Sequence, residues 1–350
     1  MAFEDIPEQS EAVRRLRAAL GSGRVPHAYL FVGTSGTDRT AAARELARAL
    51  LCPEGADEPC GECRSCRAMA HGTHPDYEQI GLEELHEHEE DRQKPRQNLP
   101  IKAVRDLQDR AYARPVIGER RVFVVRDAET MSEAAANCFL RTLEEPPPGC
   151  FIVLIATGLR DLPETVLSRC WIIRFRNLRP ARLTEHLRES GVGPDAAAWL
   201  ARQAWGSPGV ARRLHEAGVH ELNRKLLRRT HEMSVEDNFE LSDWLNGKAE
   251  SSSSGSRQTR NRLQDLLDCL AAYYRDLALC SAADGEEELD LFNPRGEDAL
   301  KERAAEQPPD AFLDRASIVL ETIERIAANA NRRLALDDMF TRLAPGRTGD

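Results

Sequence analysis

The 350-residue sequence has no long hydrophobic run. Its longest apolar stretch, Phe151 to Ala156, falls far short of the roughly 20 residues that cross a bilayer, so no membrane contact is expected. It also lacks an excess of positive charge: Lys and Arg total 48 against 58 Asp and Glu, a formal net charge of −10. That balance argues against a protein that coats nucleic acid without selectivity, which needs a cationic surface, but leaves room for a local basic patch. The first ten residues, MAFEDIPEQS, have neither the basic start nor the apolar centre of a secretory signal, and a cytoplasmic protein is expected. Apolar residues are in ordinary supply, at 41% besides 22 glycines, which argues against wholesale disorder. At roughly 150 residues per domain, the length predicts two or three domains. Disulfides are not sustained in a reducing compartment, so the nine cysteines need another explanation.

The first half alternates short apolar runs with helical patterns. Ala28–Val32, Val122–Val125, Phe151–Ala156 and Trp171–Phe175 are continuous rather than alternating, as strands covered on both faces are. Between them, Thr40–Leu51 reads as a helix, and Glu133–Glu145 as another, capped by Ser132 and stopped by Pro146-Pro147-Pro148. The expected fold is α/β, a parallel sheet flanked by helices. After Phe175 the strand signals end, and residues 179–235 read as short helices around the turn Gly206-Ser207-Pro208-Gly209. Residues 247–258, GKAESSSSGSRQ, have the composition of a linker. Beyond them, Leu263, Leu266, Leu267, Leu270, Tyr274 and Leu277, then Ile318, Val319, Ile323 and Ile326, form helical stripes for packing on other helices, of the same domain, the commoner case, or of another subunit. The polar stretch 83–98 reads as a loop whose His86 and His88 are solvated.

Four cysteines cluster as Cys52, Cys60, Cys63 and Cys66, a C-x7-C-x2-C-x2-C pattern. Short C-x2-C turns converge two thiolates on one ion, and four complete a closed tetrahedral zinc site. An iron–sulfur run would continue with a cysteine at position 70, which is Ala, and haem attachment would place His where Arg64 and Arg67 stand. With all positions filled by sulfur, the role expected of zinc is structural. His71 and His74 are spare ligands should Cys52 point away. Cys138, Cys150, Cys170, Cys269 and Cys280 read as small buried hydrophobes.

The first apolar run leads into Gly33-Thr34-Ser35-Gly36-Thr37-Asp38-Arg39-Thr40 and then a helix, the frame of a phosphate loop, G-x4-G-K-[ST]. Asp38 stands where the second glycine belongs and Arg39 where the lysine does, exchanging a compact ammonium for a planar fork. Of the motif only Gly33 and the hydroxyl of Thr40 are kept; Gly33, Gly36, Arg39 and Thr40 form a degenerate loop, so ATP is not expected to be hydrolysed. Downstream, Arg126 takes the place of the aspartate that would steady magnesium, with Asp127 and Glu129 just beyond. A cation there opposes a metal.

Taken in order, PHAYLFVG (Pro26–Gly33), the cysteine cluster with GTHPDY (Gly72–Tyr77), NCFLRTLEEPP (Asn137–Pro147) and LSRC (Leu167–Cys170) resemble the delta-prime family of bacterial DNA polymerase III clamp-loader subunits. The resemblance is strong from about Gln9 to Arg176 and weaker through GSPG (Gly206–Gly209) to NANRRLAL (Asn329–Leu336). It implies an AAA+ core at 1–177 with its zinc module at about 52–66, an all-α lid at 178–240 and an all-α collar at 241–350. It further implies a stator among motor-type and delta-type subunits of a hetero-pentamer, meeting the sliding clamp and primed DNA through that complex. Gly209 stands where motor subunits carry a sensor arginine. Arg169 of LSRC matches the arginine that enters a neighbour's ATP site, where a guanidinium can stabilise the transferring phosphate. Two other readings stay open: a motor subunit with an atypical nucleotide site, and a zinc-dependent nucleic-acid-binding protein. Lys102, Arg105, Arg110, Arg114, Arg120 and Arg121 give the latter a basic stretch, interleaved with Asp106, Asp109 and Glu119.

Overall fold

The computed structural model describes residues 10–55, 58–87, 98–160, 162–232, 238–250, 256–283, 289–293, 297–328 and 330–344. The chain divides into two compact units, one of residues 1–178 with 207–209, the other of residues 179–206 and 210–350. No described helix is long and apolar enough to cross a membrane.

The first unit runs α1 (Ser10–Gly21), β1 (Ala28–Val32), α2 (Arg39–Leu51), α3 (Arg64–Ala70), β2 (Tyr77–Ile80), α4 (Leu82–Glu87), α5 (Ile101–Ala111), β3 (Arg121–Val125), α6 (Glu133–Glu144), β4 (Cys150–Ala156), α7 (Glu164–Leu167) and β5 (Trp171–Arg174). The strands form one parallel sheet in the order β2-β3-β4-β1-β5. Tyr29, Phe31, Val122, Val124, Val153 and Ile155 face one way onto α1 and α2. Their neighbours Leu30, Phe123, Val125, Ile152 and Leu154 face the other, onto α5, α6 and α7. Every residue of β1 and β3 is therefore buried, the reason Ala28–Val32 and Val122–Val125 are continuously apolar, while Arg121 at the start of β3 is buried against Asp76.

The expected α/β core is thus present. β2 was not expected: its sequence, Tyr-Glu-Gln-Ile, lies at the sheet edge, half exposed, and an edge strand needs no apolar run. Ser132 caps α6 as its sequence suggests, its hydroxyl accepting from the Ala135 amide at 3.2 Å.

The second unit is helical: α8 (Pro180–Glu189), α9 (Pro194–Gln203), α10 (Pro208–Glu216, its first two residues counted in the first unit), α11 (Val219–Glu232), α12 (Asn238–Glu250), α13 (Ser256–Ala282), α14 (Glu297–Ala304), α15 (Pro309–Ala327) and α16 (Arg332–Leu343). Proline at the first position of α8, α9 and α15 sets φ without losing a helical hydrogen bond. The leucine stripe of α13 is buried, and α13 packs against α15, whose Val319 and Ile326 are buried. A buried polar chain joins α9 to α13: the Trp199 indole donates to Asn293 at 3.0 Å, and Asn293 donates to Asp276 through backbone and side-chain nitrogens, each at 2.9 Å. The linker expected at 247–258 is shorter than its composition suggests. Residues 247–250 complete α12 and 256–258 begin α13, leaving 251–255, which lie outside the described residues, as do residues 88–97 with His88; residues 83–87, expected in a loop, belong instead to α4.

Candidate nucleotide and metal sites

The loop Gly33–Thr40 leaves the C-terminal end of β1, which lies between β4 and β5, at the edge of the sheet where parallel α/β folds bind ligands. Gly33 is forced by close packing, since a Cβ there would sit 2.6 Å from the Phe175 carbonyl. Asp38 has φ 56°, so the left-handed turn of a phosphate loop is retained although the glycine is not. Aspartate tolerates that region better than most residues.

Arg39 is buried, and its guanidinium donates to the Ala156 carbonyl at the end of β4, which also accepts the Gly33 amide at 3.3 Å. Burial draws its pKa below the usual arginine value, while the carboxylates of Glu129 and Asp127 work to raise it and Arg126 lowers it. It stays cationic at neutral pH. The acidic residues beyond β3 are themselves engaged. Glu129 accepts from the Thr157 amide at 3.1 Å and hydroxyl at 2.6 Å, and Asp127 accepts from the Leu82 amide at 3.1 Å. Arg126 pairs with Glu84 at 3.0 Å. Residues 207–209 close on the loop: the Ser207 hydroxyl donates to the Ser35 carbonyl at 3.2 Å and the Gly209 amide to the Gly36 carbonyl at 2.9 Å. A Cβ on Gly209 would stand 2.9 Å from that same carbonyl, so no larger residue fits there without movement.

The four clustered cysteines converge as their spacing predicts, with every sulfur within 4.8 Å of the others. Cys52 ends α2 and Cys63 caps α3, its sulfur accepting the Cys66 amide at 3.3 Å. The pairs Cys52–Cys63 and Cys60–Cys66 are each 3.9 Å apart. A tetrahedron with metal–sulfur bonds of about 2.3 Å has edges of about 3.8 Å, so these thiols can hold a metal ion. Burial raises Cys66 to about 12; at Cys52 the amides of Cys60 and Glu54 outweigh burial and bring it to about 7.

The spare histidines are not needed. His71 is exposed, and buried His74 is committed elsewhere, its Nδ1 accepting the Asp76 amide at 3.0 Å and its Nε2 donating to Ser65 at 2.8 Å. Asp76 beside it is a hub that the sequence reading missed. It accepts the amides of Val116 at 2.7 Å and Ile117 at 2.6 Å and pairs with Arg121 at 2.9 Å.

Arg169 follows α7. One of its nitrogens donates to the Thr165 carbonyl at 2.9 Å, and another pairs with Glu144 at 2.5 Å. It is partly exposed, with 33% of its side chain accessible. Nothing in the sequence marked Glu144 as its partner.

A family model described as "DNA polymerase III, delta subunit" matches residues 8–179. The chain is 27% identical over 348 residues to the DNA polymerase III subunit delta' of Bacillus subtilis, covering 97% of each. It is 32% identical over 186 residues to the subunit tau/gamma of Haemophilus influenzae, covering 53% of this chain. Against the Escherichia coli tau subunit it is 34% identical over 212 residues. The chain spans only 25% and 31% of those two longer relatives. A solved gamma subunit-related protein of Thermotoga maritima aligns over 95% of this chain and 98% of its own with a TM-score of 0.45 and 15% identity.

Proposed function

We propose, from the premise that this chain belongs to the clamp-loader subunit family of bacterial DNA polymerase III, that it is the family's non-hydrolysing stator. In this role it helps ATP-driven partners place a sliding clamp on primed DNA. The observation that carries the reading is Arg39. Its buried guanidinium rests on the Ala156 carbonyl among Glu129, Asp127 and Arg126, so the space beside the loop holds the chain's own ion cluster. A motor needs there a mobile ammonium facing phosphates and a carboxylate facing magnesium. The close approach of Gly209 to Gly36 supports the same reading, since it leaves no room for a sensor arginine. The left-handed turn kept at Asp38 favours the second reading, a motor with an atypical site. Gly33, Gly36, Arg39 and Thr40 would then still contact nucleotide.

Cys52, Cys60, Cys63 and Cys66 would hold zinc, which supplies a rigid link between the end of α2 and the start of α3. The lid is assigned to 178–240 and the collar to 241–350, the collar meeting motor-type and delta-type subunits in a hetero-pentamer. Arg169 would leave Glu144 to reach a neighbour's γ-phosphate, its partial exposure making that exchange cheap. Co-purification with motor-type and delta-type subunits, followed by mass measurement of the intact complex, tests the assembly role. A complex containing one copy of this chain is expected; failure to form any stable complex overturns the reading.

A further inference from the structure

Part of the basic stretch nominated by the sequence is spent inside the first unit, where Arg121 is buried on Asp76 and Arg110 pairs with Glu78 at 2.5 Å; Lys102 and Arg105 are exposed there beside the carboxylates of Asp106 and Asp109. Closely spaced positive charge lies on α11 of the second unit. Arg224, Lys225, Arg228 and Arg229 are all exposed there. At about 100° per residue they share one arc of the helix, and its ends are only about 7.5 Å apart along the axis. Leu222, Leu226 and Thr230 fill the opposite, buried face.

Several surface arginines are neutralised, as Arg182 is by Glu185, Arg325 by Asp338 and Arg342 by Glu321. On α11, Glu221 stands 3.6 Å from Arg224, and neither Lys225 nor Arg228 has a carboxylate at ion-pair distance among the described residues. A second observation comes from α12. The Arg229 guanidinium lies over the half-buried Trp244 ring, 4.9 Å from its centroid, and Lys248 is exposed one turn further on. Stacking on the indole stiffens Arg229.

We propose that this face of α11 and α12 binds the phosphate backbone of duplex DNA. Four cations fixed on one rigid helix suit a ligand whose charge is dense along a rigid axis, and a duplex carries one charge per about 1.7 Å. A flexible acidic peptide would lose entropy in matching that row. The net charge of −10 does not oppose the contact, because charges more than about 8–10 Å away are screened at ordinary salt. This surface lies apart from the phosphate loop and the cysteines in sequence, and the inference does not depend on the stator role.

The test measures binding of the full chain to a fluorescent 30-base-pair duplex, of arbitrary sequence, across a salt series. Four phosphate contacts predict a slope of log K against log salt of about −3.6, a loss of roughly a hundredfold between 50 and 200 mM. The Lys225→Gln, Arg228→Gln variant removes two exposed cations and is expected to halve the slope, while Lys102→Gln, Arg105→Gln on α5 leaves it unchanged. No binding at 50 mM salt, or a slope indifferent to the α11 pair, overturns the proposal. So does polyglutamate binding as tightly as the duplex with the same sensitivity to that pair.

Discussion

Replacing Asp76 by alanine perturbs the most heavily used carboxylate of the first unit. Burial alone would raise its pKa, but the amides of Ile117 and Val116 and the Arg121 guanidinium outweigh burial and hold it below the usual carboxylate range. Arg121 is itself only 10% exposed and donates further to the carbonyls of Arg110 and Arg114. The variant therefore strands a buried cation and two amides together. Removing one partner of such a pair costs about 3–5 kcal/mol, and the lost amide bonds fall within the same perturbation. Hydrogen exchange at the β3 amides, Val122 to Val125, reads the stability of the first unit without interference from the second. A loss of at least about 3 kcal/mol is expected, against less for Asp76→Ala combined with Arg121→Met, because the second change removes the stranded charge. The sign in pH follows from the lowered pKa. The contribution of Asp76 is present above its unfolded value near 3.9 and is lost as acid carries the pH down through the folded value. A loss under about 1 kcal/mol, or equal losses for single and double variants, would refute this reasoning.

His74 is held neutral, its pKa lowered by burial although Asp76 acts to raise it. The stability it contributes is present above the unfolded value of about 6.5 and is lost as the pH falls below it. His74→Gln should flatten the fall in melting temperature between pH 7 and 5. Metal analysis of the purified chain should find one zinc per molecule; a chelator, or Cys60→Ser, should release it and raise exchange in α3 while the central strands stay protected. Arg169→Ala should leave assembly intact and lower the ATPase of the reconstituted complex, which a rate equal to that of the unaltered complex would contradict.

The central strands were legible because burial on both faces leaves no polar position: Ala28–Val32 was bounded from sequence at the same residues the structure shows, and β3 and β4 within one residue. β2 was not legible, since an edge strand with Glu78 and Gln79 carries neither a run nor a clean alternation. Cysteine spacing announced the convergence of Cys52, Cys60, Cys63 and Cys66, four thiols that can hold a metal ion. The phosphate loop was legible as a departure from a motif, but what Arg39 does instead was not. Its contact with Ala156 joins residues 117 positions apart, and no local pattern records that. Glu144 and Arg169 meet for the same reason, through the packing of α6 beside α7. The α11 cations were visible as letters, yet which arginines find a carboxylate partner is recorded only by the fold.

The central claim, that Arg39 and its carboxylates occupy the space a motor would give to magnesium and phosphate, is tested most directly by incubating the purified chain with ATP and magnesium and measuring phosphate release. The account predicts no turnover above the buffer rate, with or without primed DNA, and no restoration by Arg39→Lys alone, because Asp38 and Arg126 remain. Turnover by the unaltered chain that rises with primed DNA would contradict it and make this subunit a motor.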